Sequence, residues 1–120
     1  MKIAISSQGK EMSSTVDPRF GRARYFIVVD TETDAFTVHD NSQNLNAAQG
    51  AGIQAGKNVA DLDVQAVISG NVGPKAHSTL TAAGIDIYIG ASGTVQNAVN
   101  AFKAGILTKA DKANVSDHWI

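Results

Sequence analysis

The chain has no cysteine, only two prolines and one tryptophan in 120 residues. Without cysteine it forms no disulfide framework, no thiolate zinc site and no cysteine-ligated iron–sulfur cluster. Any metal must be held by other groups. Nowhere do apolar residues run for the roughly 18 positions of a membrane span, and the opening Met1 to Ser7 turns polar too early for a signal peptide. The expected location is therefore cytoplasmic, with no membrane partner. An excess of one charge is also missing: the formal net charge of −1 offers no bulk attraction to nucleic acid. At 43% hydrophobic and 18% charged, the chain is one domain with a core, burying roughly two-thirds of its unfolded surface.

Apolar patterning gives the order of elements. Ile3, Ala4 and Ile5 make a short buried strand, closed by Ser6 to Gly9. Tyr25 to Val29 is β-branched and aromatic, as a central strand should be. After a turn at Asp30 to Asp34, residues 35–39 alternate with period two and pair back as a half-exposed hairpin strand, with Phe36 and Val38 on one face and His39 with Thr37 on the other or at the strand end. From Asn46, the spacing of Ala47, Ala51, Ala55, Val59 and Leu62 predicts a helix. Its glycines at 50, 52 and 56 either permit close packing or mark an irregular first turn. Ala66 to Ile68 is the next strand. Pro74 opens a second helix with Ala76, Leu80 and Ala83 inward, and Gly84 ends it. Ile85, Ile87 and Ile89 form the fifth strand, and a third helix runs from Val95 to Lys103 with Gly105 as its stop.

This order predicts an α/β, ribonuclease H-like three-layer fold: a mixed five-stranded sheet with one early antiparallel hairpin strand and helices on both faces. A small flavodoxin-like arrangement with an added hairpin is the alternative. Residues 1–107 form the domain and 108–120 a C-terminal tail, in which Trp119 either packs on the body or marks a partner contact.

In sheets of this kind ligands bind beyond the carboxyl ends of the parallel strands. Three loops fall there: the one starting at Ser6, the one containing Gly70, Asn71, Val72, Gly73 and Lys75, and the one containing Ser92, Gly93 and Thr94. The last two bring backbone N–H groups to a helix start, where an anion is favoured, although their glycines also suit ordinary strand-to-helix turns. The protein's three arginines all lie in one hexapeptide, Arg19, Phe20, Gly21, Arg22, Ala23 and Arg24. Planar guanidinium groups beside an exposed aromatic suit a delocalised anion. A solvated loop paired with Asp17, Asp30 or Asp34 is the competing reading. His77 follows the Gly73 to Lys75 turn and is the histidine expected to face the pocket, whereas His39 and His118 read as surface residues.

Several chemistries lack their residues. The first strand has no carboxylate for a nuclease magnesium site. The glycines at 50, 52 and 56 mimic a dinucleotide fingerprint, but a polar segment precedes them where a buried strand is required, so no nucleotide cofactor is expected. No Gly-x-Ser-x-Gly elbow occurs, no catalytic residue is assigned, and the histidines have no metal-site spacing.

Taken together, Met1 to Ile5, Phe20-Gly21-Arg22-Ala23 with Phe26, Gln49 to Gly52, Gly70 to Ala76, Ala83 to Ile85 and Gly90 to Val95 resemble the dinitrogenase iron-molybdenum cofactor biosynthesis family. The resemblance extends to about Leu107. It implies a ribonuclease H-like fold without nuclease activity, and a protein that carries or chaperones metal–sulfur cofactors. For a short, cysteine-free member it implies a noncovalently held molybdenum–copper sulfide cluster. Such a cluster is an anion, with Arg22 and the Gly70 to Lys75 backbone as the positions best carried over. Many family members have histidine where this chain has Arg19 and Gln49, which points toward charge, hydrogen bonds and apolar contact in place of metal ligation.

The expectation is a non-enzymatic binding or carrier protein. Arg19, Arg22 and Arg24 supply charge, the two glycine loops supply N–H donors, and Phe20 and Val72 give apolar cover. One rival is a regulatory or scaffold module that binds a protein partner through the basic loop and the Trp119 tail. Another is a small phosphate- or nucleotide-binding enzyme with His77 as its base.

Overall fold

Three consecutive aliphatic residues buried on both faces, Ile3, Ala4 and Ile5, put β1 (Lys2–Ser7) in the middle of the sheet. The computed structural model describes residues 1–44 and 50–116. β2 (Tyr25–Asp30) runs antiparallel to β1, pairing Ile3 with Val29 and Ile5 with Ile27. β3 (Phe36–Asp40) returns beside β2 as an edge strand. On the other side β4 (Ala66–Ile68) and β5 (Asp86–Ile89) are each parallel to their inner neighbour. β6 (Thr108–Lys109) closes that edge antiparallel, giving the order β3-β2-β1-β4-β5-β6.

The sheet therefore has six strands where periodicity predicts five. Two residues are too few to show an alternation, so β6 leaves no trace in hydropathy. Helices cover both faces as expected. α1 (Ala51–Ala60) and α2 (Pro74–Ala82) pack over Ala4, Phe26, Val28, Val67 and Ile87, and α3 (Val95–Lys103) packs over Ile3, Ile5, Ile27, Val29 and Ile68. The two sets are the alternate residues of the same strands, which is what period two dictates.

α1 is regular from Ala51, with Gly52 and Gly56 on its buried face. The expected start at Asn46, with Ala47 in the stripe, lies outside the described residues, as do Gln49, His118 and Trp119. In α2, Ala76 and Leu80 are buried but Ala83 is exposed and caps the helix, so the inward stripe is shorter than predicted. On β3, His39 and Thr37 share a face, and His39 Nε2 lies 2.8 Å from Thr37 Oγ1.

β3 runs in the same direction as β1, β4 and β5, because it is antiparallel to β2, which is antiparallel to β1. The helix following each of β3, β4 and β5 thus begins at one edge of the sheet. Among the described residues no helix is long and apolar enough to cross a membrane.

Candidate functional site

The carboxyl edge is built around two buried serines. Ser6, at the end of β1, donates its hydroxyl to Asp17 O at 2.7 Å, and its Oγ lies 2.8 Å from Ser69 Oγ, whose own hydroxyl can donate to it. Asp17 N–H returns to Ser6 O at 2.8 Å. These bonds bring the segment leading into the arginine loop down onto the ends of β1 and β4.

Gly70 completes that attachment. A Cβ there would stand 2.8 Å from Pro18 Cα, so only glycine lets the loop approach this closely. Asn71 then holds the loop from both ends: its carbonyl accepts from Phe20 N–H at 3.3 Å, and its Nδ2 donates to Pro18 O at 3.1 Å. At the far end, buried Asn41 donates Nδ2 to Ala23 O at 2.8 Å and to Gly21 O at 3.4 Å. Its own Oδ1 accepts from Asn44 Nδ2 at 2.7 Å. Gly21 lies against α1, where an added Cβ would meet Gly52 Cα at 3.0 Å. The arginine loop is thus clamped between β4, the start of α1 and the turn after β3.

This arrangement brings Arg19 and Arg24 together. With Gln8 and Asp17 they line an open cleft of about 270 Å³. Asp17 is buried, and its Oδ1 accepts from Arg19 N–H at 3.0 Å and lies 3.7 Å from Arg19 Nε. The pairing with Asp17 foreseen as a competing reading is therefore present, within the same cleft that gathers the two cations. Arg24 and Lys10 act on Asp40 at the end of β3. Its carboxyl is held below the usual value chiefly by the Ser42 hydroxyl and N–H, with these two cations adding attraction. Arg22 is half-buried and Lys75 exposed, and each engages neighbouring groups.

Other predicted positions fall elsewhere. Phe20, expected as an exposed aromatic, is fully buried, its ring centroid 5.1 Å from that of Phe26. Val72 is likewise buried in that core. Burying the two side chains removes more apolar surface from water than a loop position could, which is why the loop folds inward here. His77 does not join the arginines: it borders a separate cleft with Thr81, Asp86 and Lys109, and its Nε2 lies 3.2 Å from Ala110 O.

The three helix starts at this edge differ. At α3, Val95 N–H donates to Ser14 O, Gln96 N–H to Met12 O and Asn97 N–H to Thr94 Oγ1, with a reciprocal bond from Thr94 N–H to Asn97 Oδ1. Ser92 and Gly93 are exposed beside it, but the first donors of α3 itself are taken by the protein. Among the described residues, α1 and α2 begin at Gly50 and Gly73 with no side-chain cap. The anion-favouring starts are accordingly on the face that carries the arginine loop.

Sequence reasoning did not single out Ser6, Asp17, Asn41 or Asn71 as the residues that position the loop. Polar side chains flanking strand ends were visible, but their partners lie up to 63 residues away.

Residues 1–105 match the family model described as dinitrogenase iron-molybdenum cofactor. The apo form of the orange protein from Desulfovibrio gigas superposes with a TM-score of 0.92 at 38% identity, covering 95% of this chain and 96% of that one. A NifB-like protein of Thermotoga gives 0.79 at 41% identity, covering 90% and 91%. An uncharacterised protein of Methanocaldococcus jannaschii is 31% identical over 111 residues, 91% of each chain.

Proposed function

Because the chain belongs to the dinitrogenase iron-molybdenum cofactor family, we propose that it is a non-enzymatic carrier of an anionic metal–sulfur cluster of the molybdenum–copper sulfide type, held without covalent bonds. The observation that carries this reading is the convergence of Arg19 and Arg24 on one open cleft at the sheet edge where helices begin. The order β3-β2-β1-β4-β5 with β2 antiparallel supports the ribonuclease H-like reading of the frame.

The donor set suits such a cargo. The chain has no cysteine, and among the described residues no three histidine, aspartate or glutamate side chains converge as a metal site. Guanidinium groups and uncapped helix starts instead attract negative charge and donate hydrogen bonds, which sulfide at a cluster's rim accepts. The cluster brings its own sulfur, and the protein supplies charge and shape. Asp17 offsets part of the positive charge and holds Arg19 in place. Phe20 and Val72 serve beneath the site as its floor, and the loop from Gly70 to Lys75 is the backbone that meets the cargo.

Reconstitution with tetrathiomolybdate and copper tests this. The wild type should form a coloured complex of fixed stoichiometry, and the double variant Arg19→Ala, Arg24→Ala should bind at least about tenfold more weakly, the scale of losing one or two charge-assisted bonds. Equal uptake by both forms would remove the reading.

A further inference from the structure

The segment after β6 has no periodic pattern, yet it is bonded to the loop that follows β4. Asn114 makes three bonds there: Oδ1 accepts from Val72 N–H at 2.8 Å, Nδ2 donates to Asn71 Oδ1 at 2.9 Å, and the backbone N–H donates to Val72 O at 3.2 Å. Two contacts lead the chain to that point. Ala110 N–H donates to Ile87 O at 2.8 Å, and His77 Nε2 reaches Ala110 O at 3.2 Å. A carbonyl only accepts, so Nε2 carries the proton in that contact. Residues 108–114 therefore form a strap from the edge of the sheet to the strand-to-helix loop.

Val72 N–H lies two residues ahead of Pro74, where α2 begins. Backbone donors ahead of a helix start are the groups an anion seeks, and here an amide oxygen already accepts from one. Asn114 is exposed, so its end of the strap can leave Val72 while β6 and Ala110, which packs against the core, stay on the sheet. Asn71 joins the two sides: its Oδ1 meets the strap, while its Nδ2 and carbonyl hold Pro18 and Phe20 of the arginine loop.

Resting on the anion-carrier reading above, we infer that Asn114 is an internal competitor for the cargo: its Oδ1 occupies the Val72 donor, and loading releases the strap. Apparent affinity then scales with the fraction of molecules in which the strap is open. A strap closed in roughly nine molecules of ten weakens binding about tenfold.

The full chain is titrated with tetrathiomolybdate and copper, following visible absorption, as wild type, Asn114→Ala and Asn114→Asp. Asn114→Ala should bind about tenfold more tightly. Asn114→Asp puts a carboxylate beside the same donor and should bind more weakly than wild type. A purely structural role would move both variants in one direction. Binding by the wild type with Asn114→Ala unchanged or weaker removes the strap and leaves the carrier reading standing. No binding by either form removes both. In the wild type, hydrogen exchange on loading should quicken at the Asn114 amide and slow at Val72, and slowing at both would show a strap that stays shut.

Discussion

Gly70 touches Pro18 so closely that the smallest side chain at 70 would stand 2.8 Å from the proline Cα. Backbone opposes it there, and backbone does not rotate aside. Gly70→Ala must therefore push the arginine loop off the end of β4. Overpacking of this kind costs about 1–3 kcal/mol. The variant should melt earlier and, at a temperature where it remains folded, take up tetrathiomolybdate and copper more weakly. Undiminished uptake would show that the loop need not sit against β4.

Phe20 should behave as core. Phe20→Ala is expected to cost about 3–5 kcal/mol by denaturant unfolding. Phe20→Leu keeps an apolar group against Phe26 and should retain cluster uptake. Loss of uptake in a stably folded Phe20→Leu would assign the ring a direct role at the cargo.

Thr94→Ala removes the capping box of α3 and should cost about 1 kcal/mol. Uptake should not change, since the first donors of this helix already serve Thr94, Ser14 and Met12. A variant with unaltered stability but weakened uptake would contradict this account.

Asp40 should titrate below its ordinary value of 3.8, because the Ser42 hydroxyl and N–H, followed by Lys10 and Arg24, favour its charged form. With the folded value depressed, its contribution to stability is present above 3.8 and is lost as pH falls through the folded value. Carboxyl-carbon NMR checks the midpoint. A midpoint at or above 3.8 would mean that the turn after β3 does not hold the carboxylate.

Much of this frame was legible because punctuation and periodicity agree. α3 spans Val95–Lys103 as its stripe predicts, bounded by a threonine able to cap and by Gly105 with φ of 71°. β1 announces itself by three buried aliphatic residues in a row. β6 and the strap were not legible, since they are held by pairing with β5 and by the polar bonds of Asn114 to Asn71 and Val72, which leave no periodic apolar pattern. The arginine cluster was visible as charge. Its geometry was not, because nothing local distinguishes an aromatic that folds under its loop, as Phe20 does, from one that stays on top. His77 was misplaced for a related reason: a helical position states a height along the axis, while its partner Ala110 lies 33 residues on.

The carbonyls of Met12 and Ser14 that close α3 have an effect beyond that helix. Three helices bring positive poles to one edge, and one pole is stoppered by the chain's own carbonyl dipoles. The remaining field leans to one side of the sheet, so an approaching anion meets an edge with a handedness. A planar or elongated cargo would be drawn in from the α1 and α2 side and arrive in one orientation before touching a single side chain.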